Sequence, residues 1–292
     1  MSHSDDELGD LKQIVTGGFA TVGRYGVIGH PITHSRSPDL HNAWFQAMRR
    51  PDTYELVDIP PGDLVRRGPS LPFEFAGLNV TIPHKVAILG YVDRVDEEAE
   101  AAGAANVLYR SRGDKAWCGS NTDGLGFARA LEEATAEPIM GRDCVVLGAG
   151  GAARAIASTL VRKGAASVLI MNRTEENARE VCEAVGANGY GPLHPEILDM
   201  LSHAVDLVIN TLPVAAEPFV GSMDLSPLGS HAVICDINYH LAQPSLLRRG
   251  DAAGLFTLDG MGMFLWQAAL SFELWTGSLP DMELGRRILL GE

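Results

Sequence analysis

Cysteine is scarce: Cys118, Cys144, Cys182 and Cys235 are the only four in 292 residues, with no CxxC and no Cys/His cluster. That spacing argues against a zinc site or a disulfide framework and predicts reduced, buried thiols. Basic residues are in deficit, 23 Lys and Arg against 37 Asp and Glu, for a net charge of −14. A chain this acidic lacks the basic footprint that nucleic acid or an anionic membrane surface requires, so neither is an expected partner. An anionic ligand must be held by a few local donors against the overall field. No run approaches the ~20 apolar residues of a membrane span. The opening MSHSDDELGD LKQIVTGGFA lacks the basic start and apolar core of a secretion signal, so a cytoplasmic location is expected. No repeat of 20–50 residues is visible.

What is present is an ordinary globular composition, 46% apolar and 21% charged, with 32 glycines and 16 prolines as punctuation. At about 150 residues per domain, the length predicts two domains. RYGVIG, TYELVDI and FAGLNVTI read as strands, and 38–49 carries Leu40, Trp44 and Met48 at helical spacing. Residues 93–102 read as a polar helix ended by Gly103, and ANVLYRS with KAWCGSN as a hairpin around Arg112-Gly113-Asp114. From Asp123 a helix leads to CVVLGAGG, AARAIASTLVRK, SVLIMN, a helix over 175–185, DLVIN and HAVICDIN. Strands alternating with helices of ten to fifteen residues predict βαβ units around a parallel sheet. After Asp259 the pattern becomes a long apolar helix and a short terminal one. The expected organisation is a polar tail over 1–20, an α/β domain over 21–123 and a dinucleotide-binding domain over 124–258. Helices over 259–292 are expected to fold back onto the first domain.

Gly148-Ala149-Gly150-Gly151-Ala152-Ala153, between an apolar strand and a helix, fits the dinucleotide fingerprint. Glycines there permit the tight turn and close backbone approach to a pyrophosphate, which the free N–H groups of the helix start can hold. The next strand ends in Asn172-Arg173-Thr174, where NAD binders carry an acidic residue for the ribose. A guanidinium suits a 2′-phosphate instead, so NADP(H) is the expected cofactor, with Glu175 and Glu176 opposing it. Three further clusters resist a purely structural reading. Ser35 and Ser37 sit in GHPITHSRSP, where Ser37-Pro38 would serve as N-cap and first helical residue. Lys85 follows the turn in NVTIPHK, where a solvated loop lysine is the plain alternative. Asp123 ends GSNTD, where a helix cap is the plain alternative.

Together GHPITHSRSPDLHN, GLNVTIPHK, GAANVL, GSNTDGLG, VVLGAGGAARA, MNRT and GMGMFLWQAALSFELWTG, in this order from about Tyr25 to Gly277, resemble the shikimate dehydrogenase family. The resemblance implies an N-terminal α/β substrate domain, a Rossmann-type doubly wound NADP-binding domain and a cleft between them. It implies reversible NADPH-dependent reduction of 3-dehydroshikimate to shikimate, a step of aromatic amino-acid and chorismate biosynthesis. Lys85 and Asp123 match the catalytic pair, without the motif saying whether Lys85 alone gives the proton. Ser35, Ser37, Thr81, Asn106, Tyr239 and Gln267 match substrate contacts. Gly148, Ala149, Gly150, Gly151, Ala152, Asn172, Arg173, Thr174 and Gly260 match cofactor contacts, and no metal is implied. Departures are Leu212 to Ala215 after DLVIN, where the family has a small residue and Gly-Met, a proline lost at Leu241, and Asn177 where NADP users often carry a base. Alternatives left open are an NAD-preferring quinate/shikimate dehydrogenase, an enzyme for an amino analogue of the substrate, and a non-catalytic NADP-binding regulator. The chain is expected to be a monomer or homodimer.

Overall fold

The structure, a computed structural model, describes residues 22–292 apart from 195, 197–203, 240 and 242. The tail expected over 1–20 lies outside the described residues. Two six-stranded sheets organise the chain. The first contains β1 (Arg24–Gly29), β2 (Thr53–Asp58), β3 (Gly77–Val80), β4 (Arg94–Val95), β5 (Val107–Arg110) and β6 (Trp117–Ser120), in the order β2-β1-β3-β5-β6-β4. Helix α1 (Ser37–Ala47) carries the chain from β1 to its parallel neighbour β2, and β3 also runs parallel to β1. The expected hairpin is β5–β6, antiparallel, with β5 also antiparallel to β3. The polar helix expected over 93–102 is shorter. Residues 94–95 pair with β6 as an edge strand, and α2 (Glu97–Ala102) starts only where Asp96 accepts the Ala99 N–H at 3.0 Å. Gly103, at φ +58°, ends it as a left-handed cap that costs glycine little.

The second sheet is wholly parallel: β7 (Asp143–Leu147), β8 (Ser167–Asn172), β9 (Gly189–Pro192), β10 (Leu207–Asn210), β11 (Val233–Asp236) and β12 (Phe256–Asp259). Its order, β12-β11-β10-β7-β8-β9, is the doubly wound arrangement, reversing between β7 and β10. Helices α3 (Asp123–Thr135), α4 (Gly151–Arg162), α5 (Glu175–Val185) and α6 (Ser245–Ala252) flank it. CVVL, LVIN and VICD are buried throughout, as strands covered on both faces must be.

Helix α7 (Met261–Thr276) joins the two units. Phe264, Leu265, Ala268, Ala269 and Phe272 pack with Tyr25, Trp44 and Phe45 of the first, while Met263 and Trp266 meet the core of the second. Gly126 lets α3 approach it, since an added Cβ would lie 2.7 Å from the Gln267 nitrogen. Helix α8 (Met282–Leu290) is tied to α1 by the Trp44 indole, which donates to the Asp281 carbonyl at 2.9 Å. The Arg36 guanidinium donates to the Leu289 and Ile288 carbonyls at 2.7 and 2.8 Å, satisfying the C-terminal end of α8. All four cysteines are free and buried.

One core residue carries a charge-state consequence. His41 is fully buried, with neither ring nitrogen partnered among the described residues, and burial pushes its pKa from 6.5 down to about 3. The unfolded chain therefore takes up a proton below about pH 6.5 that the folded chain refuses, so this contribution to stability is present above that pH and lost as pH falls towards 3. Relative to a His41→Phe variant, the wild type should lose about 2 kcal/mol of unfolding free energy between about pH 7.5 and pH 5. Urea titrations at both pH values check this, and a difference independent of pH would contradict a buried neutral ring.

Candidate active site

The turn after β3 delivers Lys85. The His84 N–H bonds the Thr81 carbonyl at 2.9 Å, and the buried His84 ring is pinned by its Nε2 contact with the Ile59 carbonyl at 2.6 Å. Lys85 is then held at its carbonyl by the Ala105 N–H at 2.8 Å. Its ammonium reaches Asp123 Oδ2 at 2.5 Å, with side-chain exposures of only 14% and 6%. The other Asp123 oxygen accepts from Asn106 Nδ2 at 2.8 Å. Asp123 is thus the first residue of α3 but caps nothing; its carboxylate is committed to Lys85 and Asn106. Asn106 Oδ1 in turn accepts the Thr122 N–H at 2.8 Å, and Asn121 Oδ1 accepts the Asp123 N–H at 3.0 Å. An ammonium has three donors. With one used on Asp123, Lys85 retains donors for a ligand oxygen.

The serine loop lies at the start of α1. Ser37 is not the expected N-cap. Arg36 holds that position, Ser37 and Pro38 are inside the helix, and no side chain caps it. The Ser37 N–H bonds Ser35 Oγ at 3.3 Å instead, and the two hydroxyls are 3.2 Å apart. Tyr239 joins them from the end of β11: burial pushes its phenol pKa up, while hydrogen bonding to Ser35 and the Arg36 charge pull it down. Its ring stacks on Phe264, with centroids 4.1 Å apart. The turn carrying Tyr239 is fixed by Asp236, whose Oδ1 accepts the Asn238 N–H at 2.9 Å and whose Oδ2 accepts Asn210 Nδ2 at 2.8 Å. Burial raises the Asp236 pKa and these bonds oppose it. Gln267, on α7, presents Oε1 to Asn106 Nδ2 at 3.5 Å. Thr81 opens the Lys85 turn.

The glycine turn faces this cluster. Gly148 adopts φ +116°, a conformation reserved for glycine, and an added Cβ would strike the Thr211 hydroxyl. Leu212, the departure beside it, is buried in the core of the second unit. An added Cβ on Gly151 would lie 3.1 Å from the Lys85 side chain, so the lysine stem and the turn are in close approach. Helix α4 starts at this turn with no side-chain cap and no acidic residue in its first turn, and a Cβ on Gly150 would meet open space. That cradle fits the phosphates of a dinucleotide. Ala149 and Ala152 belong to the same turn. Gly260 lies elsewhere, pressed against the Ile237 backbone at the start of α7. At the tip of β8, Arg173 is exposed with no partner among the described residues, and Asn172 Nδ2 donates to the Thr174 carbonyl at 2.9 Å. Glu176 is held by Arg179 at 2.5 Å, which keeps its carboxyl below the usual range.

Three family models match in order: the shikimate dehydrogenase substrate binding domain over residues 27–108, shikimate/quinate 5-dehydrogenase over 130–238, and the shikimate 5′-dehydrogenase C-terminal domain over 260–290. A shikimate dehydrogenase (NADP(+)) of Bacillus subtilis is 41% identical over 272 residues, 92% of this chain and 96% of that one. The chain belongs to the shikimate dehydrogenase family. A crystal structure of shikimate 5-dehydrogenase from Thermus thermophilus with NADP(H) and shikimate superposes with TM-score 0.80 at 32% identity, covering 92% of this chain and 99% of that one. The 5-ketofructose reductase of Gluconobacter sp. strain CHM43 superposes at TM-score 0.76 and 28% identity, covering 94% and 99%, so the fold alone does not choose the substrate. The cofactor expected from the strand tip, NADP(H), is the one named for the Bacillus subtilis relative and bound in the Thermus thermophilus structure. No helix among the described residues is long and apolar enough to cross a membrane.

Sequence reasoning missed four polar residues behind the cluster: Tyr54, Asn79, Thr122 and Ser271, all buried. Asn79, Thr122 and Ser271 stood inside quoted motifs and Tyr54 inside a strand, but none carried a local signal of its partners, because those contacts span up to 192 residues of chain.

Proposed function

We propose that the chain catalyses the reversible NADPH-dependent reduction of 3-dehydroshikimate to shikimate, with Lys85 and Asp123 as its catalytic pair. The observation that carries the reading is the Lys85–Asp123 ion pair standing against the Gly151 turn. Gly148 to Ala152 would hold the pyrophosphate of NADPH and Asn172 to Thr174 its 2′-phosphate, and the bound cofactor would supply the hydride for the ketone carbon. Lys85 places its ammonium at the ketone oxygen, stabilises the negative charge that develops there and gives up a proton to make the hydroxyl. Asp123, oriented by Asn106, aims the ammonium and can accept a hydrogen bond from a neighbouring ring hydroxyl. Ser35, Ser37 and Tyr239 supply hydroxyls for the substrate carboxylate, which an acidic chain must bind through local donors. Thr81, Asn106 and Gln267 face the ring substituents, and Gly260 shapes the approach of α7. We place the substrate site in 21–123, the cofactor site in 124–258 and the returning helices in 259–292. The four free buried thiols support a reducing, cytoplasmic location.

The test is NADPH consumption by purified protein with 3-dehydroshikimate, beside 3-dehydroquinate and NADH. Turnover confined to 3-dehydroquinate, or none at all, would refute the reading. The serine loop adds a prediction. Ser35→Ala and Ser37→Ala should each raise KM for shikimate with little change in kcat. Because Ser35 Oγ, not Ser37 Oγ, accepts the Ser37 N–H, a stability loss of about 0.5–1.5 kcal/mol, the net contribution of one hydrogen bond, should fall on Ser35→Ala. Urea unfolding of both variants separates the two; unchanged KM in both would remove the serines from binding.

A further inference from the structure

Two residues of the PDLHN segment, His41 and Asn42, play no part in the site above, and both are committed to Tyr54 on β2. Asn42 brackets the Tyr54 peptide, Nδ2 donating to its carbonyl at 2.9 Å and Oδ1 accepting its N–H at 2.8 Å. The His41 ring lies flat on the Tyr54 ring, with centroids 4.3 Å apart and planes 10° apart. Backbone and ring are therefore fixed, and the hydroxyl is delivered to one place: it donates to Asn79 Oδ1 at 2.7 Å. That bond sets the Asn79 amide, since the oxygen must face Tyr54 and the nitrogen the other way. Asn79 Nδ2 accordingly donates to the Asn106 carbonyl at 3.2 Å and to Ser271 Oγ at 2.9 Å. Ser271 Oγ meets Thr122 Oγ1 at 3.2 Å, and Asn106 carries the chain of contacts onto Asp123. Burial raises the Tyr54 phenol pKa, and the neighbouring Ser37 hydroxyl opposes that rise.

We propose that Tyr54 is a positioning residue for the reaction: its hydroxyl holds Asn79, and through it the Asn106–Asp123 end of the pocket. The inference rests on the dehydrogenase reading above. Tyr54 is not placed at the reacting atoms and acts through Asn79. Without the hydroxyl, Asn79 Oδ1 is left buried and unpaired, so its amide is free to turn and give up its bonds to the Asn106 carbonyl and Ser271, leaving the Val80 N–H alone on that carbonyl. Displacements of the order of 1 Å in such a constellation can cost up to about a hundredfold in rate.

Tyr54→Phe keeps the ring and the His41 stack and removes only the hydroxyl. The variant should lose about tenfold in kcat for shikimate oxidation and show a raised KM for shikimate, with KM for NADP+ unchanged. In an Asn79→Ala background the same substitution should have no further effect on kcat. Wild-type kcat and KM in Tyr54→Phe, with only a lower melting temperature, would overturn the proposal in favour of plain packing. Equal losses in both backgrounds would overturn the route through Asn79. If wild-type protein itself turns over neither shikimate nor 3-dehydroshikimate, the dehydrogenase reading has failed. The inference is then judged by the side-chain amide resonances of Asn79 and Asn106 in ¹⁵N-labelled protein. Movement of the Asn106 pair in Tyr54→Phe upholds the positioning role, and unmoved resonances overturn it.

Discussion

Replacing Lys85 with methionine is expected to lower kcat by about 10²–10⁴, the usual cost of losing a general acid, while shikimate binding changes far less. Methionine retains an apolar stem to lie against Gly151, where the lysine side chain stands 3.1 Å from the position of an added Cβ. What it lacks is the ammonium, which sits 2.5 Å from Asp123 and keeps donors for a ligand oxygen. The serine hydroxyls, Tyr239 and Asn106 are untouched, so the ground-state contacts proposed for the substrate should persist. The loss should appear equally in kcat and kcat/KM, as for an interaction made in the transition state. Asp123 is left with Asn106 as its partner, so a lower melting temperature is also expected, because a buried carboxylate without its cation is destabilising. Kinetics should therefore be measured below the variant's unfolding transition, with shikimate affinity determined separately. A variant keeping more than half of the wild-type kcat would remove Lys85 from the mechanism.

Legibility in the sequence followed how local the determining physics was. SVLIMN and the helix from Glu175 to Val185 fall on β8 and α5 residue for residue, because buried parallel strands and an amphipathic helix write their patterns in consecutive positions. Strand β9, with the sequence GYGP, reads as a turn by composition and exists only because Leu169 to Asn172 offer it a ladder. Strand β12 at the opposite edge is partly exposed and has no continuous apolar run. The two-residue β4 was hidden inside a stretch of helical composition. The serine loop shows the same limit. Ser-Pro is a sound N-cap signal, but Arg36 is drawn into the cap position by its bonds to the far end of α8, some 250 residues away. At the site, Lys85 and Asp123 were recognisable from motifs, yet nothing in the sequence indicated that Asn106 would be the residue orienting the carboxylate. Tyr54 was visible only as one member of an alternating strand.

The largest expected change in selectivity concerns Arg173. The guanidinium follows β8, is exposed and has no partner among the described residues, so no ion pair with any of them must be broken before it meets a 2′-phosphate. A hydrogen bond involving a charged group contributes about 1.5–3 kcal/mol net, or very roughly 10- to 150-fold in preference. Against it stand Glu175 and Glu176. Glu176 is bound by Arg179 at 2.5 Å, and Arg179 also reaches Glu183 at 2.7 Å, so the repulsion from Glu176 is largely offset within α5 itself. Glu175 remains, screened by salt over about 8–10 Å. Asn177, which donates its N–H to the Thr174 carbonyl at 3.1 Å, offers no second cation. A preference for NADP(H) is therefore expected, by a smaller margin than two basic residues would give. Arg173→Ala should reduce the ratio of kcat/KM for NADP over NAD by about tenfold or more, chiefly through KM for NADP, whereas Asn177→Arg should widen it. Arg179→Ala supplies the internal control: by releasing Glu176 it should narrow the ratio without removing any contact to the phosphate, and the effect should fade as salt is raised. Steady-state kinetics with both cofactors at low and high ionic strength would decide the matter, and a ratio indifferent to Arg173→Ala would show that the strand tip does not read the phosphate.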